Sequence, residues 1–350
     1  MKNQTEGERK ALIDLIKALS PVSGINGARP TIKAPDISPK LEWLIGKRLE
    51  AKPRAALFDI YGTLISSGAG SLHEQSRRKS IPASEQAGRR MIPEREFATL
   101  SGQENPDCPR ELSSLQGLLR ELPMAVAKAR AFLEVERSHP EIVIERVLQA
   151  RFPGLGRATA MRLVIGFETL ANPCAPMPGA LGTLEKLRAA GIKLGIVSNA
   201  QFYTPLYLEA FFGAPPKTLG FEEELSFFSF EIGHAKPGKK LFELAISALL
   251  ALGIGPNDTA VIGNSYPNDI RFPAERGFRT VLFAGDELSF RPGALEAEAS
   301  REGVPPAAPI ELEDEDFPDR ASPSEPCVLP QPTSIIQRLC DLEYVFRIQE

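Results

Sequence analysis

Cysteine is scarce in this 350-residue chain, which holds only Cys108, Cys174, Cys327 and Cys340. They are widely spaced and form no CxxC pair, so neither a zinc site nor a dense disulfide framework is indicated. A basic excess is also missing: 41 Lys and Arg stand against 45 Asp and Glu, a net charge of −4. That balance argues against a dedicated nucleic-acid binder, whose phosphate contacts need clustered positive charge. No run approaches the ~20 apolar residues of a membrane span. Near the N-terminus the apolar stretch Ala11 to Leu19 is interrupted by Asp14 and Lys17, the pattern of an amphipathic helix and not of a signal peptide. A soluble cytoplasmic protein with no nucleic-acid or membrane partner is the expectation. What the chain does have is core material. Hydrophobic residues make up 43% and charged residues 25%, which suffices for one large or two ordinary packed domains.

Residues 1–53 read as a helix and linker extension. Leu12, Leu15, Ile16 and Leu19 share one helical face, and Pro21 to Pro39 is rich in Pro, Gly and Ser. A helix packed on the main domain is preferred here over a partner-binding segment. From Ala55 onward, short apolar runs at Ala55–Phe58, Leu194–Val197, Phe227–Phe230, Thr259–Ile262 and Thr280–Phe283 predict strands. Helical stretches at Ala180–Ala190, Lys239–Leu252 and Asn268–Arg276 lie among them. The alternation predicts an α/β fold, a Rossmann-like parallel sheet flanked by helices.

One interval breaks the alternation. Between Ser66 and Pro178 the patterns are helical, at Glu111–Leu122, Met124–Arg137, Glu141–Arg151 and Arg157–Leu170, and the stretch Ser67–Asn105 is polar. This predicts a helical cap, residues 67–175, inserted after the first strand, with the core formed by 54–66 and 176–350. Within the core, 303–332 reads as an irregular acidic and Pro-rich segment in which Glu311–Asp316 form a solvated loop. A last helix is expected at Ser334–Tyr344.

Four segments carry the chemistry. Phe58-Asp-Ile-Tyr-Gly-Thr-Leu64 places a carboxylate, Asp59, at the carboxyl end of a buried strand, where open α/β sheets put their sites. Gly195-Ile-Val-Ser-Asn-Ala-Gln201 ends the second strand with Ser198 and Asn199. Gly233-His-Ala-Lys-Pro-Gly238 presents Lys236, and Val261-Ile-Gly-Asn-Ser-Tyr-Pro-Asn-Asp-Ile270 presents Asn264 and Asp269. Each has a plainer reading alone: Asp59 as a turn residue, Ser198 and Asn199 as a strand end, Lys236 as a surface lysine, Asp269 as a helix cap. His234 reads as a local structural residue.

Together, in this order and spacing, the four segments resemble the motifs of the haloacid dehalogenase-like hydrolase superfamily over about Ala55 to Phe283, and the helical insertion matches that superfamily's cap. The resemblance implies an aspartate nucleophile, Asp59, and a covalent aspartyl intermediate that water hydrolyses. It implies a small anionic substrate. Catalytic places fall on Asp59, Tyr61, Thr63, Ser198, Asn199 and Lys236. Thr63 and Ser198 would donate to developing negative charge, and Lys236 would orient Asp59. A Mg²⁺ set would fall on Asp59, Tyr61, Asn264 and Asp269.

Two positions depart from the phosphatase pattern. Its second aspartate, two residues after the nucleophile, protonates the leaving group; here that residue is Tyr61, with an ordinary pKa of ~10, and losing a positioned acid–base costs ~10²–10⁴ in rate. The usual first aspartate of the fourth motif is Asn264, which removes one negative charge from the metal set. The Asp-x-Tyr-Gly-Thr form looks like the 2-haloacid dehalogenase branch, which needs neither leaving-group protonation nor metal. That branch also needs a cationic clamp, for which Arg77 and Arg78 are candidates, and an aromatic halide pocket. The cap offers only Phe97, Phe132, Phe152 and Phe167, and the single tryptophan, Trp43, lies outside it. Three expectations follow: a phosphatase acting on a small phosphorylated metabolite, a metal-independent dehalogenase, and a non-catalytic binding protein of the same fold.

Overall fold

The computed structural model describes residues 5–20, 32–67, 98–99, 108–135, 138–295 and 329–348. Its centre is one sheet of six parallel strands: β1 (Ala55–Phe58), β2 (Lys193–Ser198), β3 (Phe221–Phe228), β4 (Thr259–Gly263), β5 (Arg279–Phe283) and β6 (Ser334–Ile336). The order across the sheet is β3-β2-β1-β4-β5-β6, and its direction of growth reverses between β1 and β4. A crevice at the carboxyl ends of strands at such a reversal is where open α/β sheets bind ligands. β1 is buried at all four positions because both sheet faces are covered. Ala56 and Phe58 join the larger core with Ile196 and Ile262, while Ala55 and Leu57 pack with Leu241, Phe242 and Val261 on the other side.

Register decides what meets at the crevice. Phe58 pairs with Ile196 on β2 and with Ile262 on β4. Asp59, Ser198 and Asn264 therefore leave the sheet within two residues of one level.

Ten α-helices accompany the sheet among the described residues. α1 (Glu6–Leu19) opens with a capping box between Thr5 and Glu8. The region between β1 and β2 is helical, as expected, with α2 (Leu115–Glu134), α3 (Ile144–Arg151) and α4 (Arg157–Ala171), followed by α5 (Ala180–Ala189), which leads into β2. Then come α6 (Thr204–Phe212), α7 (Ser229–Ile232), α8 (Lys240–Ala251), α9 (Arg271–Glu275) and α10 (Asp341–Val345). α1 buries Leu12, Ile13, Leu15, Ile16 and Leu19 against α4 of the helical insertion and α6 of the sheet layer. Arg9 adds an ion pair to Glu209 on α6. The helix thus spans insertion and sheet layer. None of the described helices is long and apolar enough to cross a membrane.

Five expected elements need correction. The third strand is Phe221–Phe228, not Phe227–Phe230. It is an edge strand whose Glu222-Glu223-Glu224 run hides its period, charge being what edges carry against unwanted pairing, and Ser229 already begins a helix. The helices expected on either side of Pro123 are one helix, α2, running through the proline. Burial of Leu118, Leu119, Leu122 and Val126 along one face outweighs the lost backbone bond. The expected last helix begins instead as a strand, since Ser334–Ile336 pairs with Val281–Phe283; three residues are too few to show a period. Asn268–Arg276 is a π-helical turn, Tyr266–Ile270, followed by the short α9. Arg77, Arg78, Phe97, Cys327 and Glu311–Asp316 lie outside the described residues, as does most of Ser67–Asn105.

Candidate active site

Lys236 is the hub of the site. Its side chain is 2% exposed, and its Nζ donates to Asp59 Oδ1 at 2.9 Å, Asp269 Oδ1 at 2.5 Å and the Val197 carbonyl at 2.7 Å. Three acceptors therefore use all three ammonium protons. Burial, the largest single influence, works against its charge, but the charges and hydrogen bonds of Asp269 and Asp59 outweigh it and raise its pKa. Asp269 carries the complementary burden: burial pushes its carboxyl up, and the Lys236 charge only partly offsets this. Two carboxylates share one ammonium, which leaves the cluster one negative charge in excess.

Local folding holds each member in place. Asp59 follows β1 directly, and its main-chain N–H donates to Ile262 on β4. Ser198, the last residue of β2, donates from Oγ to Asp59 Oδ1 at 3.0 Å. Asn199 clasps the lysine segment through its amide: Nδ2 donates to the Lys236 carbonyl at 2.9 Å, and Oδ1 accepts the Lys236 N–H at 2.7 Å. Asp269 sits in the π-helical turn, and its Oδ2 accepts the Ser265 N–H at 3.0 Å. That carboxyl lies so close to Gly263 that a Cβ there would fall 2.4 Å from it. Thr63 Oγ1 donates to Asn264 Oδ1 at 3.2 Å, while the Asn264 amide donates to the Ser289 carbonyl. Gly62 turns the chain at φ +85, a backbone conformation that favours glycine.

Six of the expected site residues, Asp59, Ser198, Asn199, Lys236, Asn264 and Asp269, thus meet at the crevice, with Thr63 bonded to Asn264. Tyr61 also lines the cavity above these residues, but its hydroxyl takes a different partner. Its hydroxyl bonds to Thr204 at 3.0 Å, and burial, then the Cys174 thiol and the Glu168 carboxyl, raise its pKa well above the ordinary phenol value. A phenol held protonated in this way cannot act as a base near neutrality, nor does its hydroxyl join the Asp59–Asp269 oxygens.

A cavity of about 640 Å³ opens over Asp59, Lys236 and Asp269. Arg130, Glu134, His139 and Glu168 line it from the helical insertion; Gln201, Tyr203 and Arg291 line it from the sheet layer. None of these seven was singled out in the sequence, because no local pattern marks residues that only the fold assembles. Glu168 had a signal, a carboxylate on the otherwise buried apolar helix α4. Insertion and sheet layer are joined at the cavity rim. His139, at φ +48, accepts the Ala235 N–H through its carbonyl, and Glu141 donates its N–H to Gly233. Pro140 pairs with His234 through an isolated backbone bridge. Gln201 donates to the Ile142 carbonyl and accepts the Ile144 N–H that opens α3.

Among the described residues, no group of three or more His, Cys, Asp and Glu converges as a metal cluster. The donor chemistry nevertheless fits Mg²⁺, a hard cation that takes one or two carboxylates and fills its other positions with water and substrate oxygens. Asp59 Oδ2 lies outside the bonds to Ser198 and Lys236, Asn264 lines the same cavity with its amide oxygen accepting from Thr63, and a second cation would offset the excess charge on Asp59 and Asp269.

Several known proteins are similar to this chain. A family model described as haloacid dehalogenase-like hydrolase matches residues 53–277. The chain is 28% identical over 237 residues to a glyceraldehyde 3-phosphate phosphatase of Methanopyrus kandleri, covering 65% of this chain and 82% of the relative. Similar solved structures include a HAD phosphatase from Thermococcus onnurineus, with 17% identity, TM-score 0.38, and 83% of this chain and 97% of that one covered. Another is L-2-haloacid dehalogenase from Xanthobacter autotrophicus with chloropropionic acid covalently bound, with 18% identity, TM-score 0.40, and coverage of 84% and 98%. With more than half its length matched by the family model, and its motif residues gathered at the crevice, this chain belongs to the haloacid dehalogenase-like hydrolases.

Proposed function

We propose that the chain hydrolyses a small phosphorylated metabolite, with Asp59 as nucleophile. The observation that carries this reading is the cavity: a buried carboxylate oriented by Ser198 and Lys236 lies at the base of a space whose lining brings in the cationic side chains of Arg130, Lys236 and Arg291. Asp59 Oδ2, outside those bonds, attacks phosphorus; the ester oxygen leaves, and water then hydrolyses the aspartyl-phosphate. Lys236 offsets the charge of Asp59 and its substrate, and Ser198 keeps the carboxylate aimed. Asp59, Asp269 and Asn264 would hold Mg²⁺, which supplies charge neutralisation at the phosphoryl oxygens when bound. The phosphatase relative supports the same substrate class.

The test is phosphate release from a panel of monoesters with Mg²⁺, comparing wild type with Asp59→Asn. Loss of turnover in the variant, with a phosphoryl label on Asp59 in the wild type, is expected. Turnover that survives the substitution removes Asp59 from its role.

A second reading, metal-independent cleavage of a carbon–halogen bond, is favoured by Tyr61 and by the Lys236 ammonium that already bridges both carboxylates. Halide release from a short 2-haloalkanoate in the presence of a chelator would support it.

A further inference from the structure

The phosphomonoester reading leaves one need unmet. An alkoxide leaving group requires a proton, and Tyr61, at the position that would supply it, has its hydroxyl bonded to Thr204. We propose that Glu168, brought to the cavity by α4, is the acid–base residue of this reaction. Its carboxyl gives its proton to the leaving oxygen as the phosphorus–oxygen bond breaks and the Asp59 Oδ2–phosphorus bond forms. Its carboxylate then takes a proton from the water that attacks the aspartyl-phosphate, releasing phosphate and restoring both residues. The inference rests on the phosphomonoester reading.

Geometry carries it. Glu168 lines the same cavity as Asp59 and is 4% exposed. Its Oε1 accepts from Asn172 Nδ2 at 3.0 Å; the carboxyl also meets the Tyr203 hydroxyl, and its buried Oε2 has no partner within normal hydrogen-bond distance. A buried carboxyl oxygen without a partner costs ~1–3 kcal/mol, so one on a residue that lines a cavity calls for a partner there. The titratable groups around it come from two sides, Tyr61 after β1 and Tyr203 ahead of α6, with Cys174 and Tyr207 beside Tyr61. No Lys, Arg or His, from α1, α3 or any other element packed on α4, is among the groups that shift it. Burial, with Asn172 and Tyr203 working the other way, raises its pKa to about 7. The acid and its conjugate base are then both accessible near neutral pH, as a residue serving both half-reactions needs.

The experiment compares an alkyl phosphate, glycerol 1-phosphate, with 4-nitrophenyl phosphate, whose leaving group departs without protonation. Glu168→Gln keeps the size and the Asn172 contact but has no proton to give. It should lower kcat/KM on the alkyl ester ~10²-fold or more and leave kcat/KM on the aryl ester within about threefold. The aryl ester should also show a burst of nitrophenol and accumulation of phosphorylated Asp59, because the second step has lost its base. Equal losses on both esters, or none on either, overturn the inference. Wild type supplies a second measurement that depends on no variant: alkyl-ester kcat/KM should fall as pH rises through about 7, while the aryl-ester value does not, and parallel profiles overturn the proposal. If wild type turns over neither ester, the phosphomonoester reading itself falls, and this inference with it.

Discussion

Lys236 and Asp269 are joined by a 2.5 Å bond between side chains that are each 2% exposed, and the same ammonium reaches Asp59. Breaking a buried pair by removing one partner costs ~3–5 kcal/mol, because the other charge stays buried. Lys236→Met should therefore lose about that much stability at pH 7, in addition to activity. Without the cation the Asp269 carboxyl, already raised by burial, rises further above its unfolded value, so the variant is most stable in acid and loses stability as pH rises. Urea denaturation should accordingly show the gap from wild type narrowing as pH falls towards ~4. A gap that does not change with pH would mean that the lysine acts by packing alone.

Glu168 makes a second pH-dependent prediction. Its folded pKa of about 7 lies above the ~4.3 of an unfolded chain. Between these values the native state holds a proton that the unfolded state has released. The stability this contributes is full below ~4 and is lost as pH rises through about 7. The whole shift corresponds to ~4 kcal/mol. Glu168→Gln should gain stability over wild type at pH 8 and show little gain at pH 4. Thermal melts at the two pH values check the sign.

The sequence made the four motif segments legible because each is local: a strand end followed by one or two polar residues, which periodicity and turn chemistry reveal. It also gave β1, β2, β4 and β5 to within a residue or two at either end. What it concealed depends on partners distant in the chain. β3 is an edge strand masked by Glu222–Glu224, and β6 exists only through its pairing with β5. The cavity lining needs α4 and the 139–141 segment folded against the sheet ends. Arg130 and His139 carry no local mark of that placement, and Tyr61 shows its detour to Thr204 only in three dimensions.

α1 joins the helical insertion to the sheet layer. Ile16, with no exposed surface, packs in the core that includes α4 and α6 residues. Ile16→Ala should cost ~2–5 kcal/mol, and limited proteolysis should cut the variant faster within the insertion, whose support it weakens. A loss below ~0.5 kcal/mol, the range of a surface substitution, would mean that α1 is dispensable to the fold.

Gly263, at the end of β4, separates steric demand from chain flexibility. A Cβ built there falls 2.4 Å from Asp269 Cβ, Cγ and Oδ2, which are not the far end of a flexible chain but a carboxyl held by Lys236 and the Ser265 N–H. Gly263→Ala must therefore displace Asp269 or bend β4. Overpacking of this kind costs ~1–3 kcal/mol, and a misplacement of ~1 Å in a catalytic constellation can cost ~10²-fold in rate. Gly154 supplies the control, since a Cβ there meets nothing within 4 Å and its alanine variant should keep both stability and turnover. Paired melting curves and phosphate-release assays on the two variants should show activity falling in the first and not the second. Full activity in Gly263→Ala would mean that the position of Asp269 does not matter to the reaction.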